Sequence, residues 1–168
     1  VVERTNALNA DLIVITGDLI DGPVSARIRD VEPLRTLHAP DGVYVIPGNH
    51  EYFFDNEAWM QHFASLGMTR LNNSHALIER GGAQLTLAGV TDLSAPHAGL
   101  PGPDLKQALA GAPAQAPIIL LDHQPRNARF SATQGVALQL SGHTHGGMIR
   151  PLDLIIARAN EGFVSGFY

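Results

Sequence analysis

Short runs of apolar, mostly β-branched residues recur along the chain, and each run ends in polar residues, often with a glycine. The four clearest runs are residues 12–15, 43–46, 118–121 and 136–140. Because these runs are short and show little alternation, they predict strands that are buried on both faces of a sheet. In α/β proteins, ligand-binding and catalytic side chains collect where such strands end. The pattern therefore predicts an α/β fold and directs attention to the residues that follow each run.

Helical spacing of apolar residues fills the intervals between the predicted strands. It is clearest after Asp55, a typical N-cap residue, where Trp59 and Phe63 recur four residues apart and Gly67 ends the pattern. Weaker helical patterns cover residues 24–38, 104–110 and 125–132. Residues 77–88 carry two adjacent glycines at their centre and predict a β-hairpin.

Length and composition narrow the class of protein. The 168 residues show no internal repeat and no linker, so we expect one domain over residues 1–168. The net charge is −5, with no clustered basic excess, which argues against a nucleic-acid scaffold. No cysteine is present, so disulfides and thiolate metal sites are excluded. No apolar run is long enough to span a bilayer, and we expect the chain itself to be soluble.

The polar residues after the predicted strands share one property, since most of them can bind a metal ion through oxygen or nitrogen. They are Asp18 and Asp21, then Asn49, His50 and Glu51, then Asp122 and His123, and finally His143 and His145. Taken singly, each has an ordinary explanation as a turn residue, a cap or a structural histidine. Carboxylate, amide and imidazole donors together suit Mn, Fe, Zn or a similar divalent ion. Their recurrence at four strand ends predicts a metal site.

The order of these motifs resembles one family, the calcineurin-like metallophosphoesterases. The chain has Gly-Asp-x-x-Asp at residues 17–21, Gly-Asn-His-Glu at 48–51, a single His123, and Gly-His-x-His at 142–145. The run Gly-His-Thr-His-Gly-Gly is most similar to the bacterial branch with YkuE- and YaeI-type phosphodiesterases. The resemblance implies the four-layer α/β/β/α sandwich of that family.

The resemblance also implies a dinuclear metal centre that holds two divalent ions. Asp18 would bridge the two ions. Asn49, His123 and His143 would bind one ion together with Asp18, and His145 would bind the other.

The remaining motif residues are implied to act on the substrate. His50 would face the phosphate, where it would stabilise charge or protonate the leaving oxygen. Glu51 would orient His50, and Asp21 would be a supporting carboxylate behind the ligands.

One family motif, Asp-x-His, is missing from this chain. In the family it ends the strand that precedes residues 12–15, and residues 1–9 look like the end of the helix that joins the two strands. We therefore expect a domain truncated at its N-terminus, and also at its C-terminus. One metal keeps its full ligand set, whereas the other keeps only Asp18 and His145. We expect at most one well-formed metal site and poor catalysis by this chain.

The function implied by the resemblance is hydrolysis of a phosphate ester by metal-activated hydroxide. The substrate would be a phosphodiester or a phosphomonoester, with a lipid-linked pyrophosphate among the candidates. The parent protein would be cytoplasmic or membrane-associated, and its oligomeric state stays open.

Two alternatives to this function remain. The first is a non-catalytic metal-binding domain or a catalytically incompetent fragment, although the survival of His50 beside the ligands favours an active parent. The second is another metal hydrolase with a His-x-His motif, such as an amidohydrolase or a metallo-β-lactamase. Those enzymes place the motif early or follow it with Asp-His, whereas here it is late and precedes two glycines.

Overall fold

The computed structural model describes all 168 residues, which form two β-sheets with helices on their outer sides. The first sheet is parallel, has the order β1-β2-β3 and contains Ile13–Ile15, Val43–Val45 and Thr69–Arg70. The second sheet has the order β4-β5-β6-β7 and contains Ser74–Arg80, Ala83–Gly89, Ile118–Leu121 and Val136–Leu140. Strands β4 and β5 are antiparallel, whereas β5, β6 and β7 run parallel to one another.

Seven α-helices connect and cover the strands. They are α1 (Val2–Asn6), α2 (Val24–Val31), α3 (Asn49–Phe53), α4 (Asn56–Ser65), α5 (Leu105–Ala108), α6 (Ala128–Thr133) and α7 (Leu152–Ala159). Short 3-10 turns lie at Glu32–Thr36, Ala95–Ala98, Pro125–Asn127 and His145–Gly147. None of the helices combines the length and the apolar character that crossing a bilayer requires.

Alternation along the strands divides the apolar residues between an inner core and two outer cores. The inner core lies between the two sheets and contains Ile46, Leu71, Leu87 and Leu121. One outer core joins β1 and β2 to α4, and the other joins β5 and β6 to α5. Strands β1, β2, β5, β6 and β7 therefore each contribute residues to two cores, as the unbroken apolar runs predict for β1, β2, β6 and β7. The layers run helix, sheet, sheet, helix, which confirms the α/β sandwich.

Local signals in the sequence explain several element boundaries. The β4–β5 hairpin pairs Arg80 with Ala83, so Gly81 and Gly82 form the predicted two-residue turn. Their φ angles of 57° and 82° lie in the region that glycine enters at low cost. Helix α4 begins as predicted, because the Asp55 carboxylate accepts a hydrogen bond from the N–H of Ala58.

Trp59 links α4 to the segment that follows the first metal motif. Its side chain is fully buried, and its indole N–H donates to the carbonyl oxygen of Gly22 at 3.0 Å. We expect Trp59→Phe to lower the free energy of unfolding by about 1–3 kcal/mol, because the change leaves a buried carbonyl unpaired and removes volume. Urea unfolding followed by circular dichroism measures the loss, and an unchanged midpoint would contradict this assignment.

Candidate metal centre

The carboxyl ends of β1, β2, β6 and β7 meet at one edge of the sandwich. His123, which follows β6, crosses from the second sheet to the first, and its Nδ1 lies 2.7 Å from the carbonyl oxygen of Thr16 after β1. The N–H of Gly142, after β7, donates to the carbonyl oxygen of His123 at 3.0 Å. The parallel strands thus bring together motifs that lie more than 100 residues apart in sequence.

Four predicted ligands converge at this edge. The Nε2 atom of His123 lies 3.1 Å from Oδ2 of Asp18 and 3.1 Å from Oδ1 of Asn49. The same Asn49 oxygen lies 2.8 Å from Nδ1 of His143. One donor atom from each of Asp18, His123 and His143 falls within 4.8 Å of the others. The structure therefore brings together the four residues that the resemblance implies as ligands of one metal.

The hydrogen bonds of His123 test whether a cation fits this site. A carbonyl oxygen can only accept, so Nδ1 of His123 donates to Thr16, and the Nε2 atom of the neutral ring carries a lone pair. That lone pair faces the oxygens of Asp18 and Asn49. Facing lone pairs repel unless a proton or a metal ion lies between them. One carboxylate, one amide oxygen and two imidazoles form a donor set that suits a first-row divalent ion, so the residues fit such a metal.

Two of the converging ligands, and also His145, have strained backbone conformations. Asp18, His143 and His145 have φ angles of 56°, 67° and 49°, in the left-handed region that non-glycine residues seldom occupy. Each such residue costs on the order of 1–3 kcal/mol and persists only where the surrounding structure enforces it. These backbone conformations direct the side chains of Asp18 and His143 towards the cluster.

Glycines allow the first two motifs to come into contact. Gly17 has a φ of 89°, and a Cβ atom there would collide with the backbone of Gly48. A Cβ atom on Gly48 would in turn lie 2.7 Å from Cε1 of His123 and would also overlap Asp18. The close approach of Asp18 to Asn49 and His123 therefore requires glycine at both positions.

The electrostatics of the cluster favour cation binding. Burial raises the pKa of Asp18, but the hydrogen bond and charge of His123, with the backbone N–H of His50, outweigh burial and hold that pKa below its usual range. Burial and the charge of His123 lower the pKa of His143. An ionised Asp18 and a neutral His143 are the protonation states that bind a metal ion.

His123 itself is held between opposing influences. Burial lowers its pKa, whereas the hydrogen bond and charge of Asp18 raise it and prevail, so the net pKa is raised. A metal ion binds the lone pair of a neutral ring, so metal binding at Nε2 competes with protonation of His123.

Glu51 has a different position from the predicted one. The resemblance implied that Glu51 orients His50, whereas the structure buries its carboxylate completely among backbone N–H groups. Its Oε2 atom accepts from the N–H groups of Gly48 at 2.7 Å and Asp18 at 2.9 Å, and Oε1 accepts from Leu19 at 2.8 Å. Glu51 thus joins the first two motif loops. Burial raises its pKa above the usual range despite these three bonds.

The carboxylate that faces His50 is Asp21. Its Oδ1 atom lies 3.5 Å from Nδ1 of the His50 ring, and the Asp21 side chain is mostly exposed. The backbone N–H of His50 donates to Oδ1 of Asp18 at 2.9 Å, which places the ring beside the metal ligands. The rings of Phe53 and Phe54 flank His50, with centroids 5.8 and 6.4 Å away. His50 is therefore next to the cluster without belonging to it.

His145 lies outside the converging set. It begins the 3-10 turn His145–Gly147 after His143, and its side chain is exposed. Its ring nitrogens are not among the donor atoms that meet within 4.8 Å. Its assignment as a ligand of a second ion stays a prediction.

Two buried carboxyl groups lie beside the cluster, of which Asp122 was among the metal-competent residues after the predicted strands and Asp92 was not. Asp92 follows β5, is completely buried, and accepts hydrogen bonds from the Ser94 N–H and from the Gln124 side chain. Asp122 precedes His123, and its Oδ1 atom has no hydrogen-bond partner. Burial, reinforced by the charge of Asp92, raises the pKa of Asp122 to about 7. The signal for Asp92 was present in the sequence, because Asp92 also follows an apolar strand by a few residues.

The family model for the calcineurin-like phosphoesterases matches residues 1–147. The chain belongs to the calcineurin-like phosphoesterase family. A transmembrane protein with a metallophosphoesterase domain from Danio rerio is 40% identical over 176 residues, which cover all of this chain and 40% of that protein. The metallophosphoesterase YkuE of Bacillus subtilis, described as uncharacterized, is 33% identical over 154 residues, or 89% of this chain and 52% of YkuE. Animal and bacterial phosphoesterases of this family thus both resemble the chain.

A solved structure of another protein shares this phosphoesterase fold. The sulfate thiohydrolase SoxB of Thermus thermophilus aligns with a TM-score of 0.58 at 19% identity, over 85% of this chain and 32% of SoxB. At that identity the likeness concerns the fold alone. The chain spans 40% of the Danio rerio relative's length, so it corresponds to part of that longer protein. Membership of the family supports metal-dependent phosphoesterase chemistry in general.

Proposed function

We propose that this chain forms the metal-binding part of a phosphate-ester hydrolase, with a divalent ion held by Asp18, Asn49, His123 and His143. The observation that carries the proposal is the convergence of a carboxylate, an amide oxygen and two imidazole nitrogens at one edge of the sandwich. Nothing in the fold alone requires these groups to face one another. Such an ion would polarise a phosphoryl oxygen and lower the pKa of a bound water.

The residues of the chain have separable tasks in this proposal. Thr16 fixes the ring of His123 so that Nε2 faces the metal position. Glu51 holds the loops of Asp18 and Gly48 in contact through its three backbone hydrogen bonds. These contacts fix the ligands before a metal arrives, which reduces the entropy lost on binding.

In this proposal His50 acts on the substrate. The backbone N–H of His50 anchors it to Asp18, and its ring is about one-third exposed and faces Asp21. A protonated His50 would donate a hydrogen bond to the phosphate and pass a proton to the leaving oxygen. Asp21 would stabilise that charged ring.

The proposal extends to the substrate, a second metal ion and the location of the parent protein. The substrate is a phosphodiester or a phosphomonoester, and a lipid-linked pyrophosphate is one candidate. A second ion would be held by His145 and Asp18, together with ligands from outside these 168 residues. The relative from Danio rerio is named a transmembrane protein, which supports a membrane-associated parent. With one complete ligand set, the 168-residue chain is a poor catalyst.

His50→Ala tests the assigned role of His50. We expect the variant to lose activity by about 100-fold or more towards bis(p-nitrophenyl) phosphate with Mn²⁺, because general-acid catalysis contributes on the order of 10²–10⁴. Metal affinity should stay unchanged, since His50 is not a ligand. Release of p-nitrophenol gives the rate, and isothermal titration with Mn²⁺ gives the affinity.

The control for this variant is His75→Ala, because His75 lies in β4 and bonds to the carbonyl oxygen of Ala108. His75→Ala should leave the activity unchanged. Wild-type activity in His50→Ala would remove His50 from the mechanism. Activity that does not respond to Mn²⁺ or to chelation would contradict the proposed function as a whole.

A further inference from the structure

Asp92 is a buried carboxylate without a cationic partner. It has no measurable exposure, although carboxylates are seldom buried unless they are paired. None of the ion pairs in the structure includes Asp92. Its hydrogen bonds come only from neutral groups: the Ser94 N–H at 2.8 Å, the Ser94 hydroxyl at 2.6 Å and the Gln124 amide at 3.1 Å. Burying such a charge is costly unless a positive charge compensates it.

The place of Asp92 in the fold brings its charge to the metal centre. Strand β5 pairs with β6 in parallel, and the N–H of Val90 continues the ladder to the carbonyl oxygen of Leu121. Asp92 therefore lies beside the segment of His123 at the same edge of the sheet. Gln124, the residue after His123, donates its side-chain N–H to both carboxylate oxygens of Asp92 at 3.1 Å.

Electrostatic effects on both imidazole ligands agree with this placement. Burial lowers the pKa of His123 and of His143, and the negative charge of Asp92 acts in the opposite direction on both rings. The effect reaches both histidines, so the field of Asp92 extends over the position where their nitrogens converge. The cation that would compensate this buried charge is the metal ion.

We propose that Asp92 is a positioning residue of the metal centre, whose buried charge attracts the bound cation and whose bonds to Gln124 hold the His123 loop. The inference rests on the proposed metal site. Asp92 then has opposite effects in the metal-free and the metal-bound protein. Without metal, the uncompensated charge destabilises the fold, whereas with metal it strengthens binding.

The test is Asp92→Asn, which removes the charge and preserves the shape. The oxygen of the introduced amide can still accept from Ser94, and Gln124 can turn its own amide to accept from the new NH₂ group. In chelator-treated protein we expect the thermal midpoint to rise by about 2–4 °C, the shift that 1 kcal/mol gives in a chain of this size. The affinity for Mn²⁺, measured by isothermal titration, should fall about tenfold, as for other residues that support metal ligands.

Two control variants separate charge from packing. Asp104→Asn changes the net charge equally but lies at the N-cap of α5, so it should alter neither quantity. Ser94→Ala removes the 2.6 Å hydroxyl bond and keeps the charge, so it should leave the Mn²⁺ affinity unchanged.

Three other results of these measurements would contradict the role of Asp92. A lower midpoint of metal-free Asp92→Asn, or failure to fold, would make Asp92 a packing residue. Equal Mn²⁺ affinity in the wild type and Asp92→Asn would refute the inference alone and leave the proposed function intact. A wild-type chain that does not bind Mn²⁺ would refute the proposed function, and this inference with it.

Discussion

Asp18→Asn is expected to abolish high-affinity binding of a divalent ion, with a loss of at least about 100-fold in the affinity for Mn²⁺. The reason is that Asp18 supplies the single negative charge among the four converging ligands, and its Oδ2 atom faces His123. Removing residues that merely support ligands costs about 10–100-fold, so the loss of the charged ligand itself should exceed that range. Isothermal titration of chelator-treated protein with Mn²⁺ gives the affinity.

Asparagine is the informative replacement at this position. Asp18 has a φ of 56°, a conformation that asparagine adopts more readily than other non-glycine residues. The variant should therefore fold, and circular dichroism can verify this. Asp21→Asn is the matched control, because Asp21 is mostly exposed and lies outside the ligand cluster. If Asp18→Asn bound Mn²⁺ as tightly as the wild type, Asp18 would not be a ligand.

Glu51→Ala is expected to cause the largest loss of stability, about 3–5 kcal/mol in the free energy of unfolding. The Glu51 carboxylate accepts three backbone N–H groups from Gly48, Asp18 and Leu19. A buried donor left without a partner costs about 1–3 kcal/mol; the bond from Gly48 is buried and those from Asp18 and Leu19 are partly buried, and relaxation of the loops recovers part of the sum. Urea unfolding of chelator-treated protein measures the loss without a contribution from bound metal.

Glu57→Ala provides the comparison for this effect. Glu57 is exposed and pairs with Arg70 at 3.3 Å, and such surface pairs contribute about 0–1 kcal/mol. Similar small losses in both variants would mean that Glu51 does not hold the two loops together. Glu51→Gln should lie between Glu51→Ala and the wild type, since an amide keeps one accepting oxygen.

The parts of the fold that the sequence predicted are those with local signals. Unbroken apolar runs identified β1, β2, β6 and β7, because a strand covered on both faces has no polar side. Gly81 and Gly82 located the hairpin, and Asp55 located the start of α4. The short β3, with Thr69 and Arg70, was missed because both residues are exposed and the strand is defined only by its pairing with β2.

Some residues of the candidate site were predicted from the sequence, and others became visible only in the structure. Residue type and motif order predicted the converging set of Asp18, Asn49, His123 and His143. They did not predict the bonds of Glu51, since three backbone N–H groups from two loops meet there only after folding. Asp92 follows a strand as the ligands do, but only the structure shows that its carboxylate is buried without a cation, because burial of a loop carboxylate is set by tertiary packing.

The most direct test of the metal centre is anomalous diffraction from a crystal of the 168-residue chain soaked in Mn²⁺. We expect an anomalous peak in contact with Oδ2 of Asp18, Oδ1 of Asn49, Nε2 of His123 and a ring nitrogen of His143. A crystal with no peak at this edge of the sandwich, or with Mn²⁺ bound only elsewhere, would contradict this expectation.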